Sequence, residues 1–146
     1  MSNANKHNRL SIHRLDPSLP LPRYAHEGDS GIDLYAAENV EMAPLDTAII
    51  RTGIAVEIPP GLEGQVRGRS SLSVRGMLAA IGTIDAGYRG EIGVVLTNTS
   101  DRAVEILHGQ RIAQLVIAPV TRCEVVEVEG LAKSERGERG FGSTGT

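Results

Sequence analysis

The chain has 146 residues, of which 40% are hydrophobic and 23% are charged. This size and composition are typical of one soluble globular domain with a single core, and they exclude disordered and membrane-embedded chains. The net charge of −3 argues against a general nucleic-acid surface, because such surfaces depend on an excess of Lys and Arg.

The N-terminus predicts no export or membrane segment. Residues 1–9 are expected to be disordered, and Met1 to Asn8 form a polar stretch without the apolar core of a signal peptide. No run in the chain approaches the roughly 20 apolar residues that cross a bilayer. We therefore expect a cytoplasmic protein with neither a membrane nor a nucleic-acid partner.

From residue 10 onward, apolar alternation predicts strands. Ile54, Val56 and Ile58 alternate with small or charged residues, which indicates a strand with one buried and one wet face. Comparable β-branched runs cover residues 47–50, 92–96, 103–107, 112–120 and 123–128. Turn residues separate most of these runs at intervals of about ten residues, typical of sandwiches and barrels. We predict one all-β domain over residues 10–129.

One short helix is expected within this domain. No window keeps helical spacing over the roughly ten positions that a typical helix needs. Ser70 or Ser71 could cap a segment from Leu72 to Arg75, and Gly76 could end it. Arg69 and the two serines would then lie at a helix N-terminus, where free backbone N–H groups favour an anion.

The C-terminal residues 130–146 differ in character from the rest. They contain five glycines and one large aromatic residue, Phe141, so they cannot close a core and are predicted to form a flexible arm. A plain linker is the alternative. Linkers seldom place a single Phe between glycines with Arg upstream and hydroxyls downstream, which favours a lid over the active site.

The single cysteine, Cys123, lies in the last predicted strand. It has no partner at metal-ligand spacing and can form no disulfide within the chain. A buried structural residue is the favoured interpretation, ahead of a nucleophile.

The most informative motif is the glycine-rich stretch 82–90, GTIDAGYRG. A compact β turn with a carboxylate and a tyrosine three residues apart can present backbone, a base and a ring to one small ligand. The alternative is a hairpin in which Asp85 binds nearby amides and Tyr88 packs at an edge.

Four further segments carry polar groups, three of them at predicted strand or helix ends and the last in the C-terminal arm. They are residues 28–34 (GDSGIDL), 67–71 (RGRSS), 109–115 (GQRIAQL) and 136–145 (RGERGFGSTG). Taken singly, Asp33 could be a turn cap, Arg69 a surface cation and Gln114 an outward strand residue.

Together and in this order, the five segments resemble the signature stretches of the trimeric dUTPase family, from about Leu15 to Gly145. The resemblance implies a distorted jelly-roll or β-clip barrel with one short helix and a C-terminal arm. It also implies a homotrimer whose active sites are each shared by three subunits. The implied reaction is attack of water on the α-phosphorus of dUTP, which yields dUMP and pyrophosphate. This activity limits uracil incorporation into DNA and supplies dUMP for thymidylate synthesis.

The resemblance assigns the nucleoside end of the substrate to the stretch 82–90. Asp85 would orient the attacking water, take its proton and bind the 3′-hydroxyl. Tyr88 would lie against the deoxyribose and exclude a ribose 2′-hydroxyl. The backbone of Gly82, Thr83 and Ile84 would bind the uracil edge.

The same resemblance assigns the phosphates to a Mg²⁺ ion and several side chains. Asp33 would contact Mg²⁺ through a water, because this ion releases its waters reluctantly. Ser70 and Gln114 match positions that bind bridging and α-phosphate oxygens, with Ser71 beside them. Arg69 would position the phosphates or help to order the arm.

The arm would complete the site. Arg136 matches the arginine that contacts the γ-phosphate and stabilises the leaving pyrophosphate. Phe141 would cover the uracil ring, with Gly142 beside it, and Ser143 and Thr144 would add hydroxyl contacts to phosphate.

The sequence departs from the family pattern at two positions. Ala79 stands where many relatives carry an Asn near the base, and Arg139 stands where relatives often have Gly; Arg139 either contacts phosphate or is solvated. Two other functions stay open: a dCTP deaminase on the same fold, and a catalytically silent nucleotide sensor or trimeric interaction module.

Overall fold

The computed structural model describes residues 8–142 and residue 145. The predicted disordered N-terminus lies almost wholly outside this range and stays a prediction. Ten strands and one short helix follow one another along the chain: β1 (Ser11–Arg14), β2 (Gly31–Tyr35), β3 (Val40–Met42), β4 (Thr47–Glu57), β5 (Leu62–Gly68), α1 (Ser70–Ser73), β6 (Met77–Ala79), β7 (Gly82–Ile84), β8 (Glu91–Asn98), β9 (Val104–Ile106) and β10 (Arg111–Pro119).

The strands form three antiparallel sheets. One sheet has the order β1-β4-β8-β6, the second β2-β10-β5-β7, and β3 pairs with β9 in a two-stranded third. Within the described residues these sheets do not join into one closed hydrogen-bonded barrel. The predicted all-β fold with one short helix is confirmed, as open sheets packed around one core.

The core lies between the two four-stranded sheets. Ile32, Leu34 and Leu115 from one sheet belong to the same buried cluster as Ile50 and Leu96 from the other. Each of these side chains is at most 3% exposed. Burial of this apolar surface is what holds the two layers together.

Strand β4 merges two predicted runs and is more buried than its alternation suggested. The predicted wet face includes Ala55, which is buried. A Cβ on Gly53 would approach Asp16 and Leu19 to 2.8 and 3.2 Å, so the loop after β1 covers this part of β4. β1 also pairs along β4, with Ile12 opposite Val56.

The predicted capping of the short helix was wrong. Helix α1 begins at Ser70 with Arg69 as its N-cap and has no side-chain cap, so neither serine caps a helix from 72 to 75. Gly76 follows it with a φ of 84°, a conformation that favours glycine.

The predicted strand at 123–128 does not form. Its residues have no strand partner among the described residues, because β10 ends at Pro119 and no described strand lies beside the segment that follows. Cys123 is consequently exposed and not buried. Val125, Val126 and Val128 are 96%, 65% and 57% exposed.

A buried asparagine ties the end of β8 to two loops. Asn98 is fully buried, and its Nδ2 lies 3.0 Å from the carbonyl oxygen of Met42, 3.2 Å from that of Ala43 and 2.7 Å from that of Arg102. Its Oδ1 accepts hydrogen bonds from the backbone N–H and the hydroxyl of Ser100. The side chain therefore satisfies polar backbone groups that have lost water.

Replacing Asn98 with Ala should lower the free energy of unfolding by about 3 kcal/mol, because several buried polar groups would lose their partner. Urea unfolding would measure this change. Thr97→Ala is the control in the neighbouring residue, since it removes only an exposed hydroxyl pair with Thr47 and should cost less than about 1 kcal/mol. Equal effects of the two substitutions would contradict this role of Asn98.

Within the described residues, no helix has the length and apolar character needed to cross a membrane.

Candidate functional site

A polar cavity of about 380 Å³ lies where β2, α1 and β10 meet. Its lining combines residues from three of the motif segments with the loop before β2. The predicted side chains are Asp33, Arg69, Ser70, Ser71 and Gln114; His26, Asp29 and Arg111 also line it. The structure therefore brings together the groups expected to bind phosphate and metal.

Strand register places Asp33 and Gln114 side by side. The two residues are Cα partners in the β2–β10 pair, and both point away from the core because Ile32 and Leu34 point into it. Gln114 also donates from Nε2 to the carbonyl of Gly68, at 3.0 Å. The Gln114 side chain passes over Gly31, and a Cβ added to Gly31 would lie 2.6 Å from Oε1 of Gln114. Glycine at position 31 therefore leaves room for the amide.

Two guanidinium groups flank the Asp33 carboxylate. Arg69 Nε lies 3.6 Å from Oδ1, and Arg111 Nη1 lies 3.4 Å from Oδ2. Arg69 Nη1 also donates to the Arg111 carbonyl at 3.2 Å. Asp29 also lines the cavity, so the two guanidinium groups balance two carboxylates, and it is their N–H donors that suit a phosphate ligand.

The role of Arg111 was missed in the sequence. Arg111 lies three residues before Gln114, so simple alternation places the two on opposite faces of β10. A β-bulge at Ile112 changes this, because Arg111 is opposite Tyr35 while Ala113 is opposite Leu34. Both Ile112 and Ala113 point inward, and Arg111 returns to the face of Gln114.

The acidic groups of this cavity do not form a complete metal cage. Within the described part of the chain, no group of three or more His, Cys, Asp and Glu side chains is placed to hold a metal ion. Mg²⁺ is usually bound by one or two carboxylates, with waters and substrate phosphates as its other ligands. A single carboxylate such as Asp33 therefore fits a hard divalent ion that arrives with a phosphate ligand.

A second cavity, of about 280 Å³, lies at the turn between β7 and β8. It is lined by Gly82, Thr83, Ile84, Asp85, Tyr88, Glu91 and Gly93. The turn is closed by the N–H of Tyr88, which donates to the carbonyl of Asp85 at 3.0 Å. The predicted β turn is thus confirmed, but it does not form a hairpin: β7 pairs with β5, and β8 belongs to the other four-stranded sheet.

This arrangement leaves backbone and a carboxylate free. β7 is an edge strand, and its second edge has no strand partner within the described residues. Asp85 is exposed, and among residues 8–142 its carboxylate accepts no hydrogen bond. The alternative interpretation of the sequence, in which Asp85 binds nearby backbone amides, therefore does not describe this turn. An unengaged carboxylate beside free N–H and C=O groups can bind a ligand and accept a proton.

The Tyr88 ring is held in place beside Asp85. Its side chain is 45% exposed, and its hydroxyl donates to the carbonyl of Glu91 at 3.0 Å. Glu91 is itself anchored to β4, since its carboxylate accepts from the N–H of Gly53 at 2.9 Å and pairs with Arg51 at 3.2 Å. The ring therefore presents one fixed face to the cavity.

The structure does not bring the arm to either cavity. Arg136 Nε donates to the carbonyl of Arg139, and Arg139 donates to the carbonyls of Arg136 and Glu135. Phe141 and Gly142 are exposed, and none of the described arm residues lines either cavity. Ser143 and Thr144 lie outside the described residues. The polar cavity and the Asp85 cavity also share no lining residue.

A Ser-His-Asp cluster elsewhere is not arranged for nucleophilic catalysis. His108 Nε2 lies 2.8 Å from Asp16 and 3.4 Å from the Ser18 hydroxyl, so both groups meet the same ring nitrogen. A catalytic triad needs them on opposite nitrogens. The hydrogen bond from Ser18, with that of His108, lowers the pKa of Asp16 to about 2. The cluster joins two loops as a charged structural contact.

The sequence profile of the dUTPase family matches residues 18–145. Two relatives named deoxyuridine 5'-triphosphate nucleotidohydrolase come from Anaeromyxobacter sp. and Picosynechococcus sp.. They are 57% and 49% identical over 132 and 140 residues. These alignments cover 88% and 94% of this chain, and 90% and 99% of the relatives.

Solved structures agree with the sequence relatives. A mutant dUTPase of Staphylococcus bacteriophage 80alpha, determined with dUpNHpp, superposes with a TM-score of 0.89 at 33% identity, over 95% of this chain and 99% of the phage chain. A mutant dUTPase from phage phi11 of S. aureus, described with a structural Mg(II) ion, has a TM-score of 0.77 at 31% identity, over 84% and 98% of the two chains. With profile, sequence and structure in agreement over most of its length, the chain belongs to the dUTPase family.

Proposed function

We propose that this protein is a dUTP diphosphatase that hydrolyses dUTP to dUMP and pyrophosphate by attack of water on the α-phosphorus. The observation that carries the proposal is the free carboxylate of Asp85, presented on a turn beside the open edge of β7 and the Tyr88 ring. The reaction limits uracil incorporation into DNA and supplies dUMP for thymidylate synthesis. The names of the relatives and the dUpNHpp in the phage structure support this substrate.

The nucleoside end of dUTP binds in the Asp85 cavity. The free edge of β7, at Gly82, Thr83 and Ile84, offers N–H and C=O groups to the uracil edge. Tyr88 lies against the deoxyribose and leaves no room for a 2′-hydroxyl. Asp85 binds the 3′-hydroxyl, orients the attacking water and takes its proton.

The triphosphate binds in the polar cavity. Arg69 and Arg111 supply guanidinium groups that can bind phosphate oxygens, while Ser70, Ser71 and Gln114 supply further hydrogen-bond donors. Asp33 would hold Mg²⁺ through a water, and the bound ion would supply positive charge that neutralises the phosphates. The phage phi11 structure with its Mg(II) ion supports this cofactor.

The active form is a homotrimer in which subunits share each site. Two features support this assembly. The two half-sites of one subunit share no lining residue, so a neighbouring subunit can place its polar cavity against the Asp85 cavity. The segment after β10 has no assigned secondary structure and exposes Val125, Val126 and Val128, as expected of an apolar segment that packs on another subunit.

The C-terminal arm closes the completed site. Arg136 binds the γ-phosphate through its planar fork, and Phe141 covers the uracil ring. Gly142 allows close approach, and Ser143 and Thr144 bind phosphate. The full exposure of Phe141 supports this role, because a large aromatic side chain without intramolecular contacts is available to a ligand.

Pyrophosphate release tests this function. Purified protein with Mg²⁺ is incubated separately with dUTP, dTTP, UTP and dCTP, and we expect release from dUTP alone, which stops when EDTA removes the metal. Ammonia release from dCTP would assign the chain to a deaminase instead. Binding of dUTP without turnover would indicate a nucleotide sensor.

A further inference from the structure

The Tyr88 ring lies directly over the backbone of Gly90. If Gly90 carried a side chain, its Cβ would lie 2.6 Å from the ring carbon Cζ and 3.0 Å from Cε2, and nearer still to the hydroxyl oxygen. Real Cβ atoms essentially never approach other heavy atoms below 3.0 Å. The present position of the ring therefore requires glycine at residue 90.

The ring cannot move aside without losing contacts. Its backbone N–H is bonded to Asp85, and its hydroxyl reaches past Gly90 to the carbonyl of Glu91 at 3.0 Å. Glu91 is tied to β4 by its carboxylate, so the acceptor end of this bond is fixed. A side chain at position 90 would break the hydroxyl bond and push the ring toward solvent.

Backbone conformation does not explain glycine at this position. Gly90 does not have a positive φ, so alanine can adopt its backbone angles. Gly87 provides a direct contrast. This residue lies in the same turn and also lacks a positive φ, but a Cβ added to it would meet nothing within 4 Å. What distinguishes Gly90 is its contact with the Tyr88 ring.

We propose that Gly90 is a positioning residue for sugar specificity, because its missing side chain lets the Tyr88 ring lie where a ribose 2′-hydroxyl would otherwise fit. The inference rests on the proposed dUTPase function and on exclusion of ribose by Tyr88. It assigns selectivity against UTP to a residue that itself contacts no substrate. Gly90 acts through the orientation of the Tyr88 ring, and it is this ring that lines the cavity together with Asp85.

The test compares kcat/KM for dUTP and UTP in the wild type, Gly90→Ala and Gly87→Ala. We expect Gly90→Ala to lower the ratio of dUTP to UTP activity by roughly tenfold, the size of effect that small steric changes produce in a binding pocket. Gly87→Ala should keep the wild-type ratio. The change should arise mainly from a gain with UTP, since Asp85 stays in place.

A double-mutant cycle separates positioning from general damage. In a Tyr88→Ala background there is no ring to displace, so Gly90→Ala should change the dUTP to UTP ratio no further. A merely structural role of Gly90 would produce the same loss in both backgrounds and would overturn the proposal. Wild-type protein also provides a check that needs no variant: nuclear Overhauser contacts between the Tyr88 ring and the Gly90 Hα protons must be present.

The outcomes distinguish the inference from the function on which it rests. If the wild type hydrolyses dUTP and Gly90→Ala keeps full selectivity, the inference is wrong and the function stands. If the wild type leaves dUTP intact, both fall. Absence of the ring-to-Gly90 contacts in the wild type overturns the inference whatever the variants do.

Discussion

Replacing Asp85 with Asn should lower kcat for dUTP by about two to four orders of magnitude while dUTP still binds, because an amide cannot accept the proton of the attacking water. The fold should be unaffected, since Asp85 is exposed and its carboxylate has no hydrogen-bond partner within residues 8–142. Pyrophosphate release measures turnover, and calorimetry with a non-hydrolysable dUTP analogue measures binding.

Asp101→Asn is the matched control for this substitution. Asp101 has the same side chain, which is 93% exposed and lies in neither cavity, so its replacement should leave kcat unchanged. Turnover by Asp85→Asn above half of the wild-type rate would show that another group is the base. Absence of turnover in the wild type and the variant alike would indicate a binding protein.

Removal of residues 136–146 should lower turnover by about three orders of magnitude with the trimer intact. The truncation removes Arg136, and an arginine that stabilises the charge of transferred phosphate contributes on this scale. It also removes Phe141, the proposed cover of the uracil ring. The described residues of the arm line neither cavity and do not belong to the buried core, so assembly should not depend on them. Light scattering after gel filtration would measure the oligomeric state.

Point substitutions resolve which part of the arm is responsible. Arg136→Lys keeps the charge but loses the planar fork, and should reproduce a large part of the loss. Arg139→Ala is the comparison, because Arg139 bonds only to backbone carbonyls of the arm itself within the described residues. We expect a small effect there. Full activity of the truncated protein would remove the arm from the mechanism.

The two cavities indicate how a small β domain can process a charged nucleotide. One cavity offers backbone and an exposed carboxylate, and the other offers two guanidinium groups. Separation of these groups within the subunit keeps Asp85 away from Arg69 and Arg111, with which it would otherwise pair. Under the proposed trimer, the proton acceptor and the phosphate-binding cations meet only in the assembled enzyme.

The motif segments were readable because their chemistry is local. A turn between short strands, with Asp85 and Tyr88 three residues apart, depends on glycine and on residue order, and the structure contains that turn. The same holds for Asp33, which lies in the short strand β2, and for Ser70, the first residue of the short helix α1. The roles given to these residues, and to the arm, stay predictions for the experiments above.

Three features could not be predicted because each depends on distant parts of the chain. Arg111 shares a face with Gln114 only through the bulge at Ile112, which arises from pairing with β2. The turn at Asp85 connects two sheets because β7 pairs with β5, far away in sequence. Alternation at 123–128 predicted a strand, yet a strand also needs a partner, and none is present among the described residues.

By itself the sequence determined the all-β class, one short helix and the family to which the chain belongs, since these follow from local periodicity, turn residues and motif order. Only the tertiary structure decided which strands are neighbours, which side chains share a cavity and how closely the Tyr88 ring approaches Gly90. Those properties arise from packing between residues that the chain order does not place together. Contacts made in the folded protein, and not the residue types alone, determine which strands and side chains are neighbours.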